Sequence, residues 1–172
     1  YAIYDDAKGR WYADKWLSDD VVVYYFADDT YRVYNTSTEK YTTPRISWVA
    51  SAAENDSIGV YAIDDRRGFI NTKTGDVVID AKANDYEKAW VFSDGLAAVM
   101  KDGKVGFINV DNELVIPFQF DYSSNRWGDT GYLFHDGYCV MTNKDGKFGL
   151  IDISGNWVVE PEYDELWNAH IT

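Results

Sequence analysis

The two histidines and the single cysteine are the side chains best suited to act as nucleophile, base or metal ligand. His135 lies beside Asp136 in a predicted turn, and His170 lies near the end of the chain. Cys139 occupies an apolar strand position, where cysteine packs as a small hydrophobic residue, and no histidine is close in sequence. Phosphate loops, HExxH and Gly-x-Ser-x-Gly motifs are absent from the sequence. We therefore expect no catalytic residue, no metal and no cofactor.

Adjacent aspartates recur along the chain. The pairs are Asp5-Asp6, Asp19-Asp20, Asp28-Asp29 and Asp64-Asp65. Calcium takes six to eight oxygen ligands, commonly from alternate loop positions, and adjacent carboxylates do not provide that spacing. A glycosidase needs two carboxylates about 5–10 Å apart, which some pair among 29 acidic residues meets by chance. We expect these pairs to lie in solvated turns.

Tryptophan recurs about once every 40 residues, which makes it the best functional lead. The series is Trp11, Trp48, Trp90, Trp127 and Trp167. One interpretation is a row of exposed rings that stack on sugars or on a partner's side chains; the other is one buried ring per unit that joins neighbouring units. Periodic aromatic residues usually belong to the core of repeat proteins, so the second is favoured. Trp127 is expected to be the most exposed, because it lies in the longest loop between units.

Composition and charge exclude several classes of partner. The 172 residues include 29 acidic and 16 basic side chains, for a net charge of -13, which argues against nucleic acid and anionic membranes. No apolar run approaches the ~20 residues of a membrane helix. Aromatic residues make up 17% of the chain, too many for a disordered protein. Residue 1 is Tyr, so we expect a processed or excised piece of a longer protein.

The sequence repeats at intervals of 36 to 43 residues. The aligned segments are Leu96–Asn109, Cys139–Asp152, Ile58–Asn71 and, more weakly, Val22–Asn35. Fixed spacing of this length indicates tandem structural units. We predict a single repeat domain over 1–172. Its units are 1–43 (degenerate), 44–84, 85–120, 121–163 and a partial unit at 164–172.

Each unit is predicted to be an antiparallel β-meander. Asp102-Gly103 and Asp145-Gly146 lie between apolar runs, which predicts hairpins with tight two-residue turns. Asp28-Asp29 and Asp64-Asp65 occupy the same position in the earlier units, where a second aspartate should give a looser turn. The third strand follows as an apolar triplet, such as Leu114–Ile116.

The second and third strands are apolar at successive positions, so both of their faces are expected to be covered by neighbouring units. One glycine recurs in the second strand, at Gly68, Gly106 and Gly149. Glycine weakens a strand unless another group approaches closely. We expect an aromatic ring from the next unit to pack on each glycine; a β-bulge is the alternative.

These segments resemble the bacterial WG-type (KWG) β-repeat family. The matching stretches are Lys104–Asn109, Lys147–Asp152 and Arg66–Asn71, followed by Pro117 with Phe120-Asp121, and by Pro161 with Tyr163-Asp164. Within them, the recurring structural positions are the three glycines, Phe69, Phe107, Ile108, Ile151, Pro117 and Pro161. The tryptophan of the family motif is replaced by Tyr31, Arg67, Val105 and Phe148. The resemblance implies a bacterial repeat protein used for binding or display.

The predicted fold is all-β, with three- to four-stranded meanders stacked as an open array; the alternative is a small β-propeller. The predicted function is a non-enzymatic module that binds another protein, and the acidity favours a basic partner. The alternatives are an extracellular module that binds glycan or cell wall, and a structural spacer. An extracellular or cell-surface location is favoured, and the oligomeric state is left open.

Overall fold

A computed structural model describes residues 10–53, 56–122 and 132–164, with the backbone alone for residues 10 and 11. The chain divides into two compact parts, residues 1–85 and residues 86–172. Each described part contains two antiparallel sheets of three or four strands. The prediction of an all-β chain built from repeated three- to four-stranded meanders is confirmed. The choice between an open array and a propeller stays a prediction.

The first part contains two four-stranded sheets whose strands lie in chain order. The first sheet consists of β1 (Arg10–Ser18), β2 (Val21–Phe26), β3 (Tyr31–Asn35) and β4 (Lys40–Tyr41). The second sheet consists of β5 (Trp48–Val49), β6 (Ile58–Ile63), β7 (Arg66–Asn71) and β8 (Val77–Ile79). A four-residue helix, α1 (Ala81–Asn84), follows β8, and Asp80 caps its N-terminus.

The second part contains the third and fourth sheets. The third consists of β9 (Lys88–Ala89), β10 (Ala97–Lys101), β11 (Lys104–Ile108) and β12 (Leu114–Asp121). The fourth consists of β13 (Tyr138–Thr142), β14 (Phe148–Asp152) and β15 (Trp157–Tyr163). The sheets fall within the predicted units 1–43, 44–84, 85–120 and 121–163, except that β12 ends one residue later. Unit 164–172 lies almost wholly outside the described residues.

Within each part the two sheets share one apolar core. In the first part, Val23 and Val33 of the first sheet join Tyr61 and Ile70 of the second. In the second part, Phe107 of the third sheet joins Met141 and Ile151 of the fourth. The second strands are buried on both faces, as predicted: Phe69, Ile70, Phe107, Ile108 and Ile151 are at most 1% exposed.

The third strands depart from the prediction that both of their faces are covered. Leu114, Val115 and Val158 are between 44% and 49% exposed, and Val78 is 41% exposed. Strands β8, β12 and β15 each form an edge of their sheet, so their side chains have a neighbouring strand on one side only. The apolar triplets therefore present part of their surface to solvent.

The turns confirm one prediction and correct two. Asp102 and Gly103 have φ of 52° and 78°, as a two-residue primed turn requires. Asp64-Asp65 was expected to turn loosely but forms a two-residue turn, because Asp64 adopts a left-handed φ of 53°. The turn at Asp145-Gly146 is longer than predicted, because the Asn143 side chain accepts hydrogen bonds from the backbone N–H of Asp145 and Lys147.

Two of the three recurring glycines, Gly106 and Gly149, face a bulge in the third strand of their own unit. Three residues, 117–119, lie opposite Gly106, and residues 160–162 lie opposite Gly149. A Cβ on Gly149 would lie 2.5 Å from the carbonyl oxygen of Val159. The rings near these glycines belong to the same unit, so the expectation of a ring from the next unit is wrong. Pro117 and Pro161 sit in the bulges, where the missing N–H costs no ladder bond.

Candidate functional site

The described tryptophans do not share one environment. Trp48 in β5 is 37% exposed, and the Arg67 guanidinium lies 5.1 Å from its ring centroid. Trp90 is half-buried against the core of the second part, with its ring edge-on to Tyr132. The Trp11 side chain, Trp127 and Trp167 lie outside the described residues. Both interpretations of the tryptophan series, exposed rings and buried rings, therefore stay predictions.

The groups considered for catalysis occupy ordinary surface and core positions. The His135 Nε2 lies 3.4 Å from Asp136, and both side chains are more than two-thirds exposed. Cys139 is fully buried in the shared core of the third and fourth sheets. His170 and Asp5-Asp6 lie outside the described residues. No group of three or more metal-ligating side chains occurs in residues 10–53, 56–122 and 132–164. No described helix is long and apolar enough to cross a membrane.

A groove lies between the third and fourth sheets, with a volume of about 550 Å³. Its lining comes from the end of β12, the β13–β14 turn and the β14–β15 turn. The lining residues are Gln119, Phe120, Asp121, Thr142, Asn143, Lys144, Gly155, Asn156 and Trp157. The Thr142 hydroxyl donates to the Asp121 carbonyl at 3.1 Å, which joins the two sheets at one wall.

The groove combines aromatic surface with carboxamides that are available to a ligand. Trp157 packs edge-on against Phe120, with ring centroids 5.8 Å apart. Gln119 and Asn156 are exposed, and neither carboxamide forms a hydrogen bond within the described part of the chain. Such a mixture of apolar walls and a few polar groups is typical of ligand sites.

A second candidate surface lies on the first sheet. We call Tyr12, Tyr25 and Tyr31, with Asp14 and Asp29, the tyrosine surface. Tyr12, Tyr25 and Tyr31 lie side by side across β1, β2 and β3, with successive ring centroids 5.1 Å apart. Tyr12 is 37% exposed. The sequence gives no periodic signal for this surface, because it depends on pairing across three strands.

The pKa values of two of these phenols are raised. The Tyr25 hydroxyl donates a hydrogen bond to the Asp29 carboxylate, which raises the pKa of Tyr25 to about 12. Burial raises the pKa of Tyr31, and the charges of Asp14 and Asp29 act in the same direction. Asp29 therefore raises the pKa of both phenols, and Asp14 raises that of Tyr31.

In the third and fourth units, a lysine forms an ion pair with the first residue of the following unit. Lys104 pairs with Asp121, and Lys147 pairs with Asp164, at the same separation of 17 residues. The second unit has a related pair between Arg66 and Asp85 at 3.2 Å. These residues are the lysine and the aspartate of the repeated sequence signature. Their constant separation was visible in the sequence, although the pairing was not predicted.

Three segments match the family model described as "WG containing repeat", over residues 68–104, 106–125 and 148–169. The chain contains WG-type β-repeats. In these WG repeats the position of the motif tryptophan is filled by Val105 and Phe148, which are buried. Arg67 fills it in the second unit, where burial lowers the pKa of the guanidinium.

The WG-repeat chain is also similar to parts of solved structures. A computationally designed protein, Ika8, matches with 18% identity over 81% of this chain and a TM-score of 0.41. KlHsv2 with loop 6CD replaced by a Gly-Ser linker matches over 81% with 10% identity and a TM-score of 0.48. BamB from Moraxella catarrhalis matches over 80% with 10% identity and a TM-score of 0.42.

The chain spans 45% to 48% of the length of these solved structures. No curated protein matches the chain in sequence.

Proposed function

We propose that the WG repeats form a non-enzymatic module that binds another protein, with the groove between the third and fourth sheets as a contact surface. The observation that carries this proposal is a pair of carboxamides, Gln119 and Asn156, that form no hydrogen bond with the described residues and lie beside the ring of Trp157. A volume of about 550 Å³ accommodates a few side chains of an extended segment.

The ionisable groups support a binding role over a catalytic one. A catalytic site usually holds an acid or base whose pKa is strongly shifted. Among the described residues, the shifted groups are four tyrosines, Asp28 and Arg67, and none of them lines the groove.

The test is site-specific photo-crosslinking in cells that produce the protein. A crosslinking residue at Asn156 should capture a discrete partner, and excess unmodified protein should compete with it. The matched control is Val110, which is 45% exposed and lies outside the groove lining. The same products from both positions, or none from Asn156, would contradict the proposal and leave the structural spacer as the better description.

Glycan binding is the second candidate, favoured by the same pairing of carboxamides and aromatic edges. Sugar hydroxyls bond to amides, and sugar rings pack on aromatic side chains. Titration with cell-wall fragments, followed by tryptophan fluorescence, distinguishes the two candidates. A change that disappears in Asn156→Ala and Gln119→Ala would favour the glycan.

A further inference from the structure

Side-chain N–H donors from two sheets meet at the groove between the third and fourth sheets. They belong to the carboxamides of Gln119 and Asn156 and to the indole of Trp157. The Gln119 Nε2 lies 3.4 Å from the position that a Cβ on Gly155 would occupy, and Asn156 follows Gly155 in the chain. The Gln119 carboxamide thus reaches the turn that carries Asn156.

The packing of Trp157 orients its indole. The Cζ3 of Trp157 lies 2.8 Å from the position that a Cβ on Gly149 would occupy. The Nε1 belongs to the opposite edge of the indole, so its N–H points away from Gly149. It forms no hydrogen bond with the described residues and is not a buried unpaired donor, so solvent reaches it. The indole therefore offers a groove ligand both a donor and an apolar ring.

This combination favours one backbone conformation in a bound segment. An α-helix bonds its backbone carbonyls internally, so it would offer these donors only its side chains. An added β-strand pairs with backbone groups at a sheet edge, whereas the donors here are side chains. A polyproline II segment has no internal hydrogen bonds, and its carbonyl oxygens stay free to accept from a binding site. Side-chain donors beside an aromatic ring therefore fit the polyproline II conformation best.

We propose that the groove binds a proline-rich segment of the partner protein in the polyproline II conformation. Proline rings pack on Trp157, which itself packs edge-on against Phe120 at 5.8 Å between ring centroids. The carbonyl oxygens of the segment accept from Gln119, Asn156 and the Trp157 indole. Because proline has no backbone N–H, such a segment presents mainly acceptors, which matches these donors.

This inference rests on the proposed protein-binding function and names the kind of segment that the groove takes. The two can fail separately. A discrete partner crosslinked at Asn156, with no response of the groove to a proline peptide, would overturn this inference and leave the proposed function standing. A response to the proline peptide without any crosslinked partner would support the groove chemistry and count against the proposed function.

The test is a ¹H–¹⁵N NMR titration of the chain with decaproline. The indole peak of Trp157 and the carboxamide peaks of Gln119 and Asn156 should shift together along one saturation curve. A Gly-Ser repeat peptide of the same length should bind at least about tenfold more weakly, because it is flexible and has no rings. The indole peak of Trp16, a ring in β1 that is 54% exposed, should stay in place.

Two variants remove the donors in different ways. Trp157→Phe keeps an aromatic ring and removes the N–H, and it should weaken decaproline binding about threefold to tenfold. Gln119→Ala with Asn156→Ala should weaken it about tenfold and changes only exposed side chains. The matched control is Trp16→Phe, which removes an indole N–H from a more exposed ring outside the groove and should leave the affinity unchanged.

Three results would overturn the proposal. The first is the lack of any saturable shift at Trp157 with decaproline. The second is equal affinity for the Gly-Ser peptide, because proline would then contribute nothing. The third is an equal shift at Trp16, which would mean that proline adheres to any exposed indole. The backbone amide peaks of each variant separate loss of binding from loss of fold.

Discussion

Tyr61 in β6 packs its ring against Gly68, its partner on β7. Two of its ring carbons lie 2.6 and 2.7 Å from the position that a Cβ on Gly68 would occupy. The Tyr61 hydroxyl accepts the Ala81 N–H at 3.0 Å, while the Asp80 carboxylate accepts the N–H groups of Lys82 and Ala83. One glycine thus allows a side chain of β6 to hold the start of α1.

Gly68→Ala should lower the free energy of unfolding by about 1–3 kcal/mol, because the new methyl group must displace Tyr61 or the Ile79 carbonyl. Urea denaturation measures the change. Gly103→Asn is the control, since no atom lies within 4 Å of a Cβ there and Asn tolerates the φ of 78°. If Gly68→Ala left the free energy of unfolding unchanged, the third strand would be able to shift at little cost.

Tyr61→Phe should cost about 1–3 kcal/mol, because the Ala81 N–H would be left buried without an acceptor. Tyr34→Phe should cost less, since the Tyr34 hydroxyl has no hydrogen bond in the described part of the chain. Paired urea titrations compare the two variants. Equal losses would mean that the Tyr61 hydroxyl does not hold α1.

Asp29→Asn should lower the pKa of Tyr25 from about 12 toward its ordinary value of 10.0, because the acceptor loses its negative charge. NMR titration of tyrosines labelled with ¹³C at Cζ follows the Tyr25 phenol directly. Asp19→Asn serves as the control and should leave this pKa near 12. A Tyr25 pKa that did not move in Asp29→Asn would refute the hydrogen bond.

Stability should fall as the pH rises above about 10. Burial raises the pKa of Tyr61 and Tyr86 above 10.0, so the folded state holds these phenol protons more tightly than the unfolded state. Their contribution is complete below the unfolded pKa and is lost as the pH rises through the folded values. Urea midpoints between about pH 9 and about pH 12 should decline less steeply in Tyr61→Phe with Tyr86→Phe. Identical slopes would refute the assignment.

The Lys104–Asp121 pair should contribute at most about 1 kcal/mol, because both side chains are substantially exposed. A double-mutant cycle with Lys104→Met and Asp121→Asn isolates the coupling energy. The coupling should shrink at high salt. A larger, salt-independent value would mean that the pair is protected from solvent.

The sequence predicted the repeated meanders because the turns and apolar runs are local signals. Asp102-Gly103 forms the expected primed turn, and Phe107 and Ile108 fill both faces of β11. The length of the turn at 143–147 was not predicted, because the Asn143 side chain accepts hydrogen bonds from the backbone N–H groups of Asp145 and Lys147. The turn preference of the Asp145-Gly146 dipeptide, taken alone, does not account for these hydrogen bonds.

The candidate surfaces were harder to predict because they depend on contacts between strands. Tyr12, Tyr25 and Tyr31 are unremarkable in sequence and become neighbours through the pairing of β1, β2 and β3. The groove likewise joins Gln119 with Asn156 from different sheets. The even spacing of the tryptophans suggested a common role, yet Trp48 and Trp90 lie in different surroundings.

The ion pairs 17 residues apart connect the start of each signature to its own end. Both partners of Lys104–Asp121 and of Lys147–Asp164 are encoded within one stretch of the gene. An in-frame duplication or deletion of one such stretch would carry or remove a whole pair and leave the others unbroken.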